Sequence, residues 1–137
     1  MKGLVICGKS NSGIRTENIR IADFDLWMLG TDSRRGADKY FELHGIKSEH
    51  PNTVYTLPDE VYNMGLPVNC SIAAMLIYAY LYGYTDIVIK GAPMNATEEY
   101  LLQKPSVAFI AGWLKAKDVR VTWIDGLKNI NYGKRDD

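Results

Sequence analysis

A carboxylate and an imidazole stand two residues apart in the segment 39–44, whose alternating, aromatic-rich pattern is typical of a β-strand. On a strand, Glu42 and His44 would point to the same face. The pair could act as general acid and base, or provide two ligands for a divalent metal ion. No other His or Cys lies in register with them, since His50 precedes Pro51 in a segment that we expect at the surface. We therefore favour acid/base chemistry over a metal site formed by this pair.

A turn rich in glycine and serine follows the first apolar run of the chain. Residues 3–10 match the Walker A spelling G-x-x-x-x-G-K-S, but their four variable residues, Leu-Val-Ile-Cys, are themselves typical of a buried strand. A P-loop needs its strand before that loop, and only Met1 and Lys2 stand there, so we interpret the match as coincidence. The turn at 8–13, Gly-Lys-Ser-Asn-Ser-Gly, could still bind a phosphate or carboxylate through backbone N–H groups. A plain connecting turn explains the same residues equally well.

Asn69, Cys70 and Ser71 stand at the start of the most apolar segment of the chain, 71–82. A helix that is apolar all round is a buried helix. Asn69 or Ser71 can cap it, and the same residues would face a ligand at that end. Cys70 would gain reactivity from the helix N-terminus, but the sequence shows no partner base for it.

A third candidate group lies on the next predicted helix. Glu99 and Gln103 are four residues apart with Tyr100 adjacent, so the three can face a cleft together; an exposed helix face is the alternative. Pro105 removes a backbone hydrogen bond inside a helix, so we predict a break just before it and a second helix from about Ser106. The buried face of that second helix would carry Val107, Ile110, Ala111 and Leu114.

Apolar runs separated by Gly, Pro and polar clusters predict alternating strands and helices. This alternation is typical of a Rossmann-like α/β three-layer sandwich, here with a mostly parallel sheet of about five strands. We predict strands at 4–7, 24–29, 39–44, 86–91 and 119–124, with a short additional candidate at 53–57. We predict helices at 58–64, at 71–82 and on either side of Pro105.

Ligands of such folds bind beyond the carboxyl ends of the strands. Thr31 and Asp32 join the candidate residues because they follow the second predicted strand. We expect a single domain over 1–125 and a polar tail at 126–137 that frays. The strand ends of interest are 8–13, 30–32, 44–45 and 91–95.

Composition narrows the function classes. The 137 residues are 47% hydrophobic and 23% charged, which excludes a disordered chain and a coiled coil. Sixteen basic residues balance sixteen acidic ones, so a broad basic surface for duplex nucleic acid is not expected. No apolar run approaches the ~18 residues that span a bilayer. Cys7 and Cys70 lie in apolar segments, and we expect a reduced cytoplasmic protein with no disulfide.

The order of these motifs resembles that of small Rossmann-like proteins common in bacteriophage genomes, over nearly all of residues 3–125. Those proteins are similar to a wider group that includes MptE-like pterin pyrophosphokinases, flagellin-modification (Maf) proteins and the CMP-sialic-acid-dependent sialyltransferases of bacterial surface glycans. The most specific shared motifs are Tyr-Phe-Glu-Leu-His-Gly at 40–45 and Glu-Tyr-x-x-Gln-Lys-Pro at 99–105.

The resemblance implies a nucleotide site. By position, the nucleotide phosphates would meet the turn after the first strand, and the polar pair after the second strand would also contact the nucleotide. The group usually has Gly-x-Asp where this chain has Gly-Ala-Pro at 91–93, so any chemistry of that Asp is lost here. The sialyltransferases also have a long lid and later catalytic groups that 137 residues cannot hold. The residues implied are Gly8, Ser10, Asn11, Thr31, Asp32, Asn69, Cys70 and Ser71.

One function hypothesis and two alternatives follow. The first is a nucleotide- or nucleotide-sugar-binding protein, as a minimal glycosyl- or pyrophosphoryl-transferase, with catalytic Glu42 and His44. Glu99, Tyr100 and Gln103 would close the site, and magnesium could assist the bound nucleotide. The first alternative is a non-catalytic phage protein in the host cytoplasm that sequesters a nucleotide or signalling molecule. The second is a structural homo-oligomer, because the apolar helix must be covered on both sides.

Overall fold

The fold is a single parallel sheet of six strands, in the order β4-β3-β2-β1-β5-β6. The computed structural model describes residues 2–10, 12–94 and 98–124, without the side chain of Tyr100. This architecture confirms the α/β Rossmann-like prediction. The strands are β1 (Gly3–Cys7), β2 (Phe24–Leu29), β3 (Lys39–Phe41), β4 (Thr53–Val54), β5 (Asp86–Lys90) and β6 (Arg120–Trp123).

The strand order reverses direction beside β1. From β1 to β4 the sheet grows one way, and the chain then returns across it to place β5 on the other side of β1. Because crossovers between parallel strands are right-handed, the two directions require connections on opposite faces of the sheet. The helices are α1 (Thr16–Ile19), α2 (Asp59–Asn63), α3 (Ser71–Leu81) and α4 (Glu98–Ala116).

The main core lies between the sheet and the pair α3 and α4. Leu4 and Ile6 of β1 point into it, as do Ile87 and Ile89 of β5. Residues 72–79 of α3 are all buried, because the sheet, α4 and α2 surround them. The apolar helix is thus covered within one chain and gives no support of its own to the structural-oligomer hypothesis.

The opposite face of the sheet has a smaller core and little helix. Val5 and Cys7 of β1 pack there with Ile19 of the four-residue helix α1, which the sequence analysis did not predict. A buried ion pair stabilises the irregular chain on this side: the Arg34 guanidinium lies 2.8 Å from an Asp32 carboxylate oxygen. Arg34 also donates to the backbone carbonyls of Gly8 and Ile14, so it ties the end of β1 to the loops around it.

Two predictions of local structure are wrong. Helix α4 runs without a break through Pro105. Pro105 lies on the exposed side of α4, where water can hydrogen-bond the carbonyl that its missing N–H leaves without a partner. The part of α4 after Pro105 has the buried face that the sequence predicted, formed by Val107, Ile110, Ala111 and Leu114. His50 is buried rather than at the surface: its ring stacks on Tyr40 at 3.6 Å, and Nε2 lies 2.6 Å from the carbonyl oxygen of Asp32.

The predicted strands at 39–44 and 53–57 are shorter in the structure, ending at Phe41 and Val54. Within the described residues, no helix combines the length and the apolar character that a membrane span requires.

Candidate functional site

A cleft of about 500 Å³ opens at the carboxyl edge of the sheet, where β1 and β5 lie side by side. This is the position at which the strand order reverses, and open α/β sheets bind ligands there. Its polar lining comes from Lys9, Ser10, Thr31, Glu42, His44, Cys70, Ser71, Glu99 and Gln103. Its apolar and backbone lining comes from Gly8, Leu29, Phe41, Ile46, Ile72, Gly91, Ala92, Pro93 and Met94.

The turn after β1 contacts the turn after β5 directly. The Gly8 N–H donates to the Lys90 carbonyl at 2.8 Å, and the Ser10 N–H donates to the Gly91 carbonyl at 3.0 Å. A Cβ on Gly8 would lie 2.5 Å from the Gly91 oxygen, so only glycine allows this approach. Two of the backbone N–H groups of the turn at 8–13 that could have held a phosphate therefore hydrogen-bond to the end of the neighbouring strand.

His44 contacts the first residue of α3. Its Nε2 atom lies 3.2 Å from the Ser71 hydroxyl oxygen, across the cleft between the end of β3 and α3. The buried Glu42 carboxylate accepts a hydrogen bond from the backbone N–H of His44 at 2.8 Å. Glu42 thus holds the loop that carries the imidazole. The His44 ring thus contacts the serine hydroxyl, rather than the carboxylate that strand spacing suggested.

The N-terminus of α3 reaches the cleft through Cys70, Ser71 and Ile72. Cys70 is the N-cap residue, and its carbonyl accepts the Ala74 N–H. Burial raises the pKa of the Cys70 thiol, although the nearby N–H groups of Ile72 and Ala73 act against that rise. The thiol is consequently protonated at neutral pH, which makes it a weak nucleophile.

Charge in the cleft is mixed. The Lys9 ammonium lies 3.4 Å from the Thr31 hydroxyl, so the ends of β1 and β2 meet at one cation. Glu99 accepts a hydrogen bond from the Gln103 amide at 3.1 Å on the first turns of α4. Together with the buried Glu42, the described cleft lining thus combines one ammonium group with two carboxylates. Lys9 is therefore the ammonium group that an anionic ligand would meet in this lining.

Asp32 lies outside the cleft lining. Burial alone would raise the pKa of its carboxyl group, but the hydrogen bonds and charge of Arg34 outweigh burial and hold that pKa below its usual range. Arg34 thus fixes Asp32 as an anion within the protein. Asn69 is also absent from the described lining, whereas Asn11 and the side chain of Tyr100 lie outside the described residues.

Sequence reasoning missed Lys9 and the apolar wall. Lys9 lies in the turn at 8–13, but the glycine- and serine-rich pattern of that turn indicated binding by backbone N–H groups and not by a side chain. This wall combines Leu29 and Phe41 from strand ends with Ile46 and Met94 from loops. No local sequence pattern predicts that these separate segments meet. Across residues 2–10, 12–94 and 98–124, no group of three or more His, Cys, Asp or Glu side chains is placed to hold a metal ion.

No family model matches the chain, and neither curated proteins nor solved structures provide a significant match. The geometry of the cleft is therefore the basis for the function argued below.

Proposed function

We propose that the cleft binds a phosphorylated small molecule of the nucleotide or nucleotide-sugar class. One observation carries the proposal: at the β1/β5 reversal, the lining of one cleft combines apolar side chains with a cation, hydroxyl groups and the N-terminus of α3. A cavity of about 500 Å³ lies within the range of small-molecule sites. The same class of ligand is what the sequence resemblance implies.

The phosphate would lie between Lys9 and the start of α3. Lysine binds phosphate as a compact charge, and the first N–H groups of a helix favour an anion at that end. Ser71 adds a hydroxyl donor beside them. Leu29, Phe41 and Ile46 would then contact the base or the carbon skeleton of the sugar.

Proton transfer would fall to His44. A neutral imidazole 3.2 Å from a hydroxyl can accept its proton, so His44 could activate Ser71 or a substrate hydroxyl that takes the place of Ser71. Glu42 would position His44 through the backbone hydrogen bond. In a transferase of this design, His44→Ala lowers turnover by ~10²-fold or more, the usual size of a general acid/base contribution.

The test is ligand-dependent thermal stability, with nucleosides, their mono-, di- and triphosphates, and nucleotide sugars, each with and without magnesium. A ligand at ~100 times its dissociation constant adds ~2.7 kcal/mol, which moves the midpoint by several degrees in a domain of this size. We expect only phosphorylated compounds to raise the melting midpoint. Lys9→Ala should weaken their affinity by ~10-fold or more, because the substitution removes a charged hydrogen-bond donor.

Lys47→Ala is the matched control, since Lys47 is exposed and lies outside the cleft lining. An equal loss in both lysine variants, or no shift with any phosphorylated compound, would contradict the proposal.

A non-catalytic binding protein is the second candidate, and the position of Glu42 favours it. The carboxylate is engaged by a backbone N–H, and the end of β5 offers Ala92 and Pro93 to the cleft rather than a second carboxylate. Mass spectrometry distinguishes the transferase from the binding protein. The chain is first incubated for a long time with a nucleotide donor that shifts its melting midpoint. A product lost in His44→Ala supports the transferase, and an unchanged donor supports sequestration.

A further inference from the structure

Helix α4 presents an apolar face to solvent along most of its length. Leu102 is 74% exposed, Phe109 60% and Leu101 54%, values expected of polar residues on a surface helix. The opposite side of the helix enters the main core. The apolar α4 face comprises Leu101, Leu102, Pro105, Phe109, Gly112 and Ala116, all of them exposed.

This face carries no charge between its two ends. Between Glu99 and Lys115 the only charged residue is Lys104, and its side chain is buried away from the face. Contiguous exposed apolar surface of this kind is uncommon on monomers and marks sites of interaction.

We propose that the apolar α4 face binds a second copy of this chain, with the two α4 helices antiparallel about a twofold axis. The register that overlaps the whole helix places Leu102 opposite Gly112 and Phe109 opposite Pro105. The two most exposed side chains of the face, Leu102 and Phe109, then each lie opposite a small or compact residue, which favours close packing between the helices.

Charge at the helix ends fits the antiparallel arrangement. Helix α4 begins with Glu98 and Glu99, and its other end carries Lys115 followed by Lys117. Antiparallel pairing brings the acidic end of each copy beside the basic end of the other, whereas parallel pairing would join like charges. The two helix dipoles are also opposed in this arrangement.

The proposed interface does not depend on what the cleft binds. Glu99 and Gln103 line the cleft from the first turns of the same helix. A ligand in the cleft and a second copy on the apolar α4 face would therefore contact different sides of this helix.

The experiment is light scattering coupled to size-exclusion chromatography of the full chain over ~1–300 µM. One pair of helices lies at the low end of stable interfaces, so we expect concentration-dependent dimerisation with a mass approaching twice 15.4 kDa. Leu102→Glu and Phe109→Glu should each give a monomer throughout. Tyr62→Glu, at a 49% exposed apolar position on α2, should leave dimerisation unchanged.

Charge reversal provides a second measurement that spares the apolar residues. The double variants Glu98→Lys/Glu99→Lys and Lys115→Glu/Lys117→Glu should each dimerise poorly alone, because like charges then meet at both ends. Mixed together, they should form a dimer again, since opposite charges face each other in the mixed pair. A monomer at every concentration, with the apolar face covered by residues 125–137 or by nothing, would overturn the proposal. So would a dimer that ignores the α4 substitutions, or a mixture that fails to associate.

Discussion

Asp32 shows how one buried carboxylate contributes to stability in a pH-dependent way. Its ion pair with Arg34 is almost inaccessible, and the pKa of Asp32 is lowered in the folded chain. A lowered pKa in the folded state means that the contribution is fully present above the unfolded pKa, ~3.9, and is lost as pH falls below it. Asp32→Asn should therefore cost about 3–5 kcal/mol of unfolding free energy at pH 7, because Arg34 stays buried without a counter-charge.

Urea denaturation at pH 7 and at steps down to pH 3 measures this effect. In Asp32→Asn the loss of stability below pH 4 should be shallower than in the natural chain. Glu17→Gln is the matched control, since the Arg15–Glu17 pair is exposed and surface pairs contribute little. If Asp32→Asn and Glu17→Gln gave the same pH profile, the Asp32–Arg34 pair would not have the role described.

The sequence was a better guide to which residues line the cleft than to the contacts that those residues make. The structure brings Glu42, His44 and Ser71 to one cleft, which strand and helix positions had indicated. It pairs the His44 ring with Ser71, and that contact joins residues 27 positions apart, so no local spacing could show it. The charge of Asp32 was visible in the sequence. Its buried ion pair was not, because Arg34 also hydrogen-bonds to the end of the neighbouring strand β1.

At the scale of elements, strand ends and helix ends decide the shape of the cleft. The apolar run of β1 and the strand at β5 were predictable because continuous apolar segments bounded by glycine suit a buried parallel strand. The continuity of α4 was not predictable, because water can hydrogen-bond the carbonyl that Pro105 leaves without a partner only if that side of the helix is exposed. The outcome depended on which side of the helix faces solvent, and that is a tertiary property.

Two glycines of one turn make a matched test of how β1 and β5 meet. A Cβ at Gly8 would lie 2.5 Å from the Gly91 oxygen and 2.9 Å from the Ala92 Cβ, whereas a Cβ at Gly13 would meet nothing within 4 Å. Gly8→Ala should lower the unfolding free energy by about 1–3 kcal/mol through overpacking of the strand ends. Gly13→Ala should leave it unchanged or raise it by about 0.4–1 kcal/mol. Thermal or urea unfolding measures both, and equal effects would argue against a close contact at Gly8.

For the whole molecule, the reversal of strand order beside β1 has two consequences. It creates the cleft, because the chain segments leaving β1 and β5 diverge to opposite faces of the sheet. It also divides the connections unequally, since α3 and α4 cover one face while α1 and irregular chain cover the other. The fold class and the edge of the sheet where the cleft opens could be predicted from the alternation of strands and helices. The thin covering of the face beside α1 could not, because short irregular segments carry no periodic signal.

This inequality predicts that the two faces open independently. Helix α1 is closed by few hydrogen bonds, including Arg20 N–H to the Thr16 carbonyl, and it packs on the smaller core. Residues 72–79 of α3 lie inside the larger core. Local opening follows the amount of buried contact, so amide hydrogen exchange at Asn18 and Arg20 should be at least ~10³-fold faster than across the middle of α3. Residue-resolved exchange by NMR provides the measurement. If α1 and α3 exchanged at a common rate, opening of the second face would require global unfolding, and the Asp32–Arg34 pair would have to make that face as stable as the face covered by α3 and α4.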